Sequence, residues 1–163
     1  MAVDELRSKI AKRSSQKGGE GERGAAKLIA TYFGIPWGDA FIRTKKTTGG
    51  QPLGDILPIK EMWVKWHASG FGAIEAKNRV EWDFHQVFKQ PNNNKLAEYW
   101  FKSRDDTHDE NTVVIFTKAA APYYILHVSD DFAYTCPTLL FNSREHRFTI
   151  LKLTDFLSER WPP

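Results

Sequence analysis

The run Gly-Ala-Ile-Glu-Ala-Lys from Gly72 to Lys77 constrains the fold and the chemistry of this chain more than any other segment. Its short apolar character predicts a β-strand, in which successive side chains point to opposite faces of a sheet. Glu75 and Lys77 then share one face, while Ile74 and Ala76 point to the other. A carboxylate and an ammonium group are costly to bury in an apolar core, so this face of the strand is either exposed to solvent or part of a functional site.

A second acid, Asp55, stands at the edge of the apolar run Leu53–Leu57, upstream of Glu75. On neighbouring strands, Asp55 and Glu75 would supply the hard oxygen ligands that Mg²⁺ prefers, with the backbone carbonyl of Ala76 as a further ligand. Lys77 would place a positive charge beside the charge that develops in a phosphodiester transition state. The alternative is a surface ion pair on a solvated strand, because Glu-x-Lys is a short motif that arises by chance.

Apolar and turn patterns predict an α/β fold with a central mixed β-sheet flanked by helices. Helices are predicted over residues 4–13 and from Glu22 to the stop signal at Gly34, helical or loop-helix segments over residues 82–86 and 94–104, and a closing helix from a capping Thr154 to Leu157. The aromatic segment over residues 62–66 is predicted to be an irregular connection. The predicted strands are Phe41–Thr44, Asp55–Ile59, Gly72–Lys77, Thr112–Phe116, Tyr123–Val128 and Arg147–Leu153.

Length and composition fit a single domain over residues 1–163, with 41% hydrophobic residues available for a core. The apolar stretches are much shorter than a membrane span. A single cysteine excludes an internal disulfide and a cysteine-rich zinc site. We therefore expect an intracellular, cytoplasmic protein that does not associate with a membrane.

Positive charge is concentrated near the start of the chain. Residues 1–50 hold ten Lys and Arg against five acids, although the net charge of the whole sequence is only +3. A basic segment of this kind suits a phosphate backbone as partner. Residues 1–17 are interpreted as a basic, flexible arm, in which Arg13 and Lys17 are candidate DNA contacts. The alternative is an arm that only increases solubility.

Glu22 is a third acid with an unusual predicted position. On a helix, its neighbours one and two turns on are Ala26 and Ile29, which places the carboxylate on the apolar stripe. A buried acid needs a partner, and a metal ion or Lys77 would provide one. The alternative is an exposed first-turn glutamate favoured by the helix dipole.

The loop between Arg43 and Asp55 combines cations, hydroxyls and glycines, which can follow a DNA backbone through charge and hydrogen bonds. An ordinary solvated hairpin tip is the alternative. The candidate DNA contacts here are Arg43, Lys45, Lys46, Thr47 and Thr48. His85 and Gln86 follow the Glu-x-Lys strand and could face the same site, whereas the other histidines and the six tryptophans are interpreted as structural.

Taken together, these motifs resemble the PD-(D/E)XK nuclease superfamily, and within it the Holliday junction resolvases of the archaeal Hjc type and the related bacterial RecU type. The resemblance begins at Lys17-Gly18-x3-Glu22-Arg23 and continues through Arg43, the hydroxyl and glycine loop, Asp55-Ile56 and Glu75-Ala76-Lys77. It covers about the first half of the chain. The interval between Asp55 and Glu75 is longer than in the archaeal enzymes, with residues 62–69 as the apparent insertion.

The resemblance implies a restriction-endonuclease-like core and a Mg²⁺-dependent endonuclease, with Mn²⁺ as a substitute, that resolves four-way DNA junctions as a homodimer. It implies that Glu22, Asp55 and Glu75 surround the metal ion and that Lys77 assists the attacking water. Arg43 and either Thr47 or Thr48 would hold the scissile strand, with Gln86 at the border of the site. A phage or prokaryotic origin accords with this resemblance. The alternatives are a restriction-type or repair-type nuclease of the same superfamily and a non-catalytic DNA-binding protein of the same fold.

Overall fold

The computed structural model describes residues 19–44, 54–78, 82–118 and 122–163. Seven strands form one mixed sheet in the order β1-β2-β3-β4-β5-β7-β6. The strands are β1 Phe41–Arg43, β2 Ile56–Pro58, β3 Ile74–Asn78, β4 Val113–Thr117, β5 Tyr124–Val128, β6 Leu139–Ser143 and β7 His146–Lys152. The helices are α1 over residues 19–32, α2 Trp37–Ala40, α3 Lys60–Ala68, α4 Phe84–Lys89, α5 Lys95–Thr107 and α6 Leu153–Arg160, with a 3-10 turn at Pro91–Asn93.

The pairing of β3 with β4 is parallel, and the other strand pairs in the described sheet are antiparallel. Parallel neighbours need a crossover connection, which here contains α4, the 3-10 turn and α5. Asp83 caps the N-terminus of α4, where its side chain accepts a hydrogen bond from the His85 amide. Asn94 caps α5 in the same way by accepting one from the Ala97 amide. The predicted α/β fold with a mixed sheet and flanking helices is confirmed.

The sheet has a different core on each face. Helices α1, α3 and α6 pack on the face that carries Ile74 and Ala76. Helices α4 and α5 pack on the opposite face, where the core includes Val114 and Phe116. These two residues lie beside Glu75 and Lys77 in the β3–β4 register. Glu75 and Lys77 therefore belong to the α4/α5 face of the sheet.

Helix α1 follows its predicted pattern. Ala25, Ala26 and Ile29 are fully buried against the sheet, and the helix ends before Gly34, whose φ of +65° suits the left-handed position after a helix. The predicted helix of residues 4–13 and the arm of residues 1–17 lie outside the described residues.

Two local predictions are wrong, and one strand was missed. Residues 62–66 belong to helix α3, because Met62 and Trp66 are one turn apart and fully buried on its inner side. Thr154 does not cap α6: the helix begins at Leu153 without a side-chain cap, and the Thr154 hydroxyl instead donates to Asp155. Strand β6 was not predicted, and it forms through its hairpin pairing with β7.

In the residues that the structure describes, no helix is both long enough and apolar enough to cross a membrane.

Candidate active site

Asp55 lies where the sheet opens between β2 and β3. These strands pair at a single register position, Ile56 with Ile74. The Asp55 amide donates to the Ile74 carbonyl at 2.8 Å, and its Oδ2 accepts from the Ala76 amide at 3.1 Å. The carboxylate therefore accepts from the Ala76 amide beyond the last β2–β3 register pair, which orients it toward β3.

Two neighbouring residues hold the backbone at Asp55. Gly54 has a φ of +81°, and a Cβ there would lie 2.6 Å from the Ile74 carbonyl oxygen, so this position requires glycine. Thr44, which follows β1, donates its amide to the Asp55 carbonyl at 3.1 Å and its hydroxyl to the Gly54 carbonyl. Thr44 thus positions the backbone that carries Asp55. In the sequence, only its place next to Arg43 pointed to this role.

Lys77 connects the two acids. Its Nζ contacts Oε1 of Glu75 and lies 3.5 Å from Oδ2 of Asp55. The three side chains are about equally accessible, with exposed fractions of 19% for Asp55, 18% for Glu75 and 22% for Lys77. The structure therefore brings Asp55, Glu75 and Lys77 together in a half-buried cluster that solvent and ligands can reach.

The electrostatics of the cluster are those of two crowded anions and one cation. Burial raises the pKa of Glu75, and the negative charge of Asp55 raises it further, while Lys77 lowers it in part. Burial would lower the pKa of Lys77, but attraction to Glu75 and Asp55 outweighs it and the pKa is raised. Lys77 therefore stays an ammonium at neutral pH, and the negative form of Glu75 has a free-energy cost that a further cation would offset.

The donor set fits one divalent cation that completes its coordination with water and substrate. Asp55 and Glu75 offer carboxylate oxygens, and the carbonyl of Ala76 lies on the Asp55 side of β3, because the amide and carbonyl of one strand residue point to the same side. In the described parts of the chain, however, no group of three or more His, Cys, Asp or Glu residues is arranged to hold a metal ion.

Glu22 is placed with a different partner. Its Oε2 accepts from Nε of Arg43 at 2.6 Å and lies 2.5 Å from the Arg43 Nη2. The Glu22 side chain is 15% exposed, so a half-buried acid on the apolar side of α1 does have a partner, as its position predicted. In this structure the partner is Arg43 rather than Lys77, and α1 packs mainly on the sheet face opposite to Glu75 and Lys77.

Comparison with known protein families gives one match. A family model described as "Phage putative PDDEXK endonuclease" matches residues 13–159 of the chain. The chain belongs to this PDDEXK endonuclease family. No significant match was found among curated proteins or among solved structures.

Family membership confirms the superfamily that the sequence motifs indicated, and it associates the chain with nuclease chemistry. PDDEXK nucleases generally use divalent metal ions, in keeping with the carboxylates of Asp55 and Glu75. The family is neither the Hjc nor the RecU resolvase family, so it supports the nuclease class and not a particular DNA substrate. Its phage description is compatible with the expected phage origin.

The remaining predicted DNA contacts are distributed differently. Gln86 is exposed on α4, the helix that follows β3 on the same face as Glu75. Arg43 keeps an exposed fraction of 39% while it pairs with Glu22. The predicted contacts at Arg13, Lys17, Lys45, Lys46, Thr47 and Thr48 lie outside the described residues.

Proposed function

We propose that this PDDEXK family member is a Mg²⁺-dependent DNA endonuclease that cuts four-way junctions by phosphodiester hydrolysis. One observation carries the nuclease part: Lys77 lies between the carboxylates of Asp55 and Glu75 at the point where β2 and β3 separate. A strand pair that continued to the end of β3 would cover this edge. Its separation leaves an accessible position next to both acids and the ammonium group.

Each residue has a distinct role in the proposal. Asp55 and Glu75, with the carbonyl of Ala76, would hold the metal ion. When bound, such an ion supplies positive charge to the scissile phosphate and lowers the pKa of a water molecule. Lys77 orients the attacking water and stabilises the charge that develops on the phosphate. In its ammonium form, Lys77 supplies positive charge beside the phosphate.

Glu22 and Arg43 are proposed to act as a pair. The ion pair attaches the first turns of α1 to the end of β1, directly before the loop that leads to Asp55. Arg43 is still exposed enough to reach a phosphate, and Glu22 limits the positions that its guanidinium can take. In this proposal Glu22 joins the metal site only if DNA binding draws Arg43 away from it.

The four-way junction as substrate rests on the resemblance of Lys17-Gly18-x3-Glu22-Arg23 to the opening helix of the archaeal resolvases. A junction has near two-fold symmetry, so a symmetric homodimer would place one site at each of two strands. Arg13, Lys17, Lys45, Lys46, Thr47 and Thr48 supply the cations and hydroxyls expected for the junction backbone. Gln86 on α4 is the proposed contact on the Glu75 side.

Substitution of the two acids tests the site. We expect Asp55→Asn and Glu75→Gln to retain junction binding and to lose Mg²⁺-dependent cutting by at least about 100-fold, since each removes a negative ligand. Cleavage of a labelled synthetic junction and its gel-shift affinity are the two measurements. Asp39→Asn is the matched control, because Asp39 pairs with Lys60 at an exposed position. Normal cutting by either site variant would overturn the assignment.

Comparison of substrates tests the specificity. The wild-type protein should cut the four-way junction faster than a linear duplex of the same sequence. Equal cutting of both would favour a restriction-type or repair-type nuclease. Salt-dependent DNA binding with no metal-dependent cutting would instead favour a non-catalytic DNA-binding protein.

A further inference from the structure

We infer that a groove next to the active site, lined by Phe84 and Tyr124, binds a nucleobase of the DNA substrate that is not stacked in a duplex. The inference rests on the proposed function in taking DNA as the ligand, and it goes further by assigning a base-binding position and a preference for DNA with unpaired or unstacked nucleotides. The groove is lined by Phe84, Tyr124, Pro137, Thr138, Leu139, Ile150, Leu151, Lys152 and Asp155.

The register of the sheet connects this groove to the active site. Lys77 lies beside Phe116, Phe116 lies opposite Tyr124, and Tyr124 lies opposite Lys152. Residues directly across neighbouring strands share a sheet face, so all four belong to the face of Glu75. At about 4.8 Å per strand, Tyr124 is about 10 Å from Lys77, which is a distance that one or two nucleotides can span.

The aromatic rings form a stable wall with an open side. Tyr124 stacks on the buried Phe116 with a centroid distance of 5.6 Å and an interplanar angle of 22°. Phe84 meets Tyr124 edge to face at 5.1 Å and 83°. Phe84 and Tyr124 are both only partly buried, so ring surface that the core does not cover remains available in the groove. A base can stack there with little reorganisation of the side chains.

The charges around the rings suit a nucleotide better than an apolar ligand. Lys152 is exposed and lines the groove. Lys118, exposed at the end of β4, has its Nζ 5.8 Å from the centroid of Trp82, and that indole packs edge to face against Phe84 at 5.2 Å. In the proposal, these two ammonium groups would contact phosphates on either side of the stacked base. Asp155, the acid in the groove lining, can accept a hydrogen bond from an exocyclic amine of the base.

A bound base in this groove would account for recognition of branched or gapped DNA. Aromatic stacking requires that the base leave its duplex neighbours, which costs least at a branch point, a gap or a mismatch. Lys77, at one end of the cross-strand row formed with Phe116, Tyr124 and Lys152, would then lie near the phosphate backbone of the same DNA strand. Stacking in the groove thus selects DNA structure and does not depend on which base is bound.

The test uses oligonucleotides that contain 2-aminopurine, whose fluorescence falls when it stacks on an aromatic ring. One duplex carries the analogue unpaired in a short gap, and a second carries it paired, both in EDTA so that no cutting occurs. We expect the wild-type protein to quench the unpaired probe and to bind gapped DNA more tightly. Phe84→Leu keeps an apolar side chain in the cluster but removes the ring, so it should weaken binding to gapped DNA about 5- to 100-fold and leave duplex binding unchanged.

Matched variants separate stacking from general damage. Phe88→Leu removes a ring from the same helix at a residue that is 68% exposed and outside the groove, so it should behave as wild type. Phe84→Tyr keeps the ring and should retain the quenching. Thermal melting of each variant shows whether the fold is intact.

The outcomes distinguish this inference from the proposed function. If Phe84→Leu quenches and binds as wild type does, the groove does not hold a base, while Glu75-dependent cutting would still support the nuclease. Loss of quenching in Phe84→Leu but not in Phe88→Leu supports the inference, even if no DNA is cut, in which case only the catalytic proposal falls. Failure of the wild-type protein to bind any DNA overturns both.

Discussion

Two opposing effects determine the pKa of the Lys77 ammonium group. Burial disfavours its charge, and the carboxylates of Glu75 and Asp55 favour it more strongly, so its pKa is raised. The same cation lowers the pKa of Glu75, which burial and Asp55 raise. A raised carboxyl pKa means that the folded state binds its proton more tightly than the unfolded state. Glu75 therefore contributes less to stability as the pH rises through its folded-state pKa.

We predict that Lys77→Met raises the pKa of Glu75 above its wild-type value, because the attraction and hydrogen bond that lower it are removed. The same change should reduce metal-dependent DNA cutting by about 100-fold or more. A carbon-detected NMR titration of the Glu75 carboxyl measures the first effect, and junction cleavage measures the second. Lys60→Met, which removes an exposed lysine paired with Asp39, should change neither. An unchanged Glu75 titration in Lys77→Met would contradict the electrostatic role.

Among the elements, helix α1 depends on the absence of side chains where it meets the sheet. A Cβ on Gly24 would lie 1.9 Å from the Tyr123 hydroxyl oxygen, and a Cβ on Gly21 would lie 2.7 Å from the Cβ of Asn78. Both glycines face the end of the sheet where Lys77 lies. This close approach positions Glu22, between them in sequence, within hydrogen-bond distance of Arg43.

We predict that Gly24→Ala lowers the free energy of unfolding by about 1–3 kcal/mol through overpacking. Helix propensity alone predicts the opposite sign, a gain of roughly 1 kcal/mol, so the experiment separates the two effects. Urea denaturation gives the measurement. Gly38→Ala is the control, since a Cβ there meets no atom within 4 Å and should cause no loss. A more stable Gly24→Ala protein would show that α1 does not pack as closely as described.

At the scale of the whole molecule, a hydrogen-bond chain joins the end of β5 to α6 on the far side of the fold. Arg160 donates to the Tyr134 hydroxyl at 2.9 Å, and that hydroxyl lies 3.1 Å from Nε2 of His127. The His127 Nδ1 is 2.7 Å from the Val128 carbonyl, to which it donates. Nε2 then accepts from Tyr134, so this arrangement requires a neutral imidazole. Burial lowers the pKa of His127 and outweighs the hydrogen bond to Val128 and the charge of Asp130, which raise it, while the positive charge of Arg160 lowers it slightly further.

We predict that the contribution of His127 to the stability of the protein declines as the pH falls below about 6.5, the ordinary pKa of histidine. With a lowered folded-state pKa, the unfolded state binds the proton first, so the stabilisation is complete above that pH and declines below it. The decline should approach about 1.4 kcal/mol per pH unit for this one group. Urea denaturation at pH values from about 5 to about 7.5, on both sides of that pKa, measures the decline.

The histidine variants identify the source of this slope. His127→Gln should flatten the pH dependence, because no group at this position then binds a proton. His67→Gln, at an exposed position on α3, should leave it unchanged. An equal slope in the wild-type and His127→Gln proteins would assign acid sensitivity to other groups.

Much of the fold could be predicted from local patterns. Two strands were predicted from their patterns. The continuous apolar run Val113–Phe116 indicates a strand buried on both faces, and the alternation of Ile74, Glu75 and Ala76 indicates a strand with one more deeply buried face. Helix α3 was missed, since two tryptophans and a valine obscured the one-turn spacing of its buried residues. Strand β6 was missed because its pairing with β7, rather than its own composition, determines it.

The sequence by itself determined the residue types of the site, the nuclease superfamily and the alternation that puts Glu75 and Lys77 on one side of a strand, because these depend on chemistry and local patterns. The tertiary structure decided which acids meet. Asp55 joins Glu75 and Lys77 because β2 separates from β3 after one register pair. Glu22 meets Arg43 because α1 packs on the other face of the sheet. Sheet order and helix placement are long-range properties, and no spacing along the chain encodes them directly.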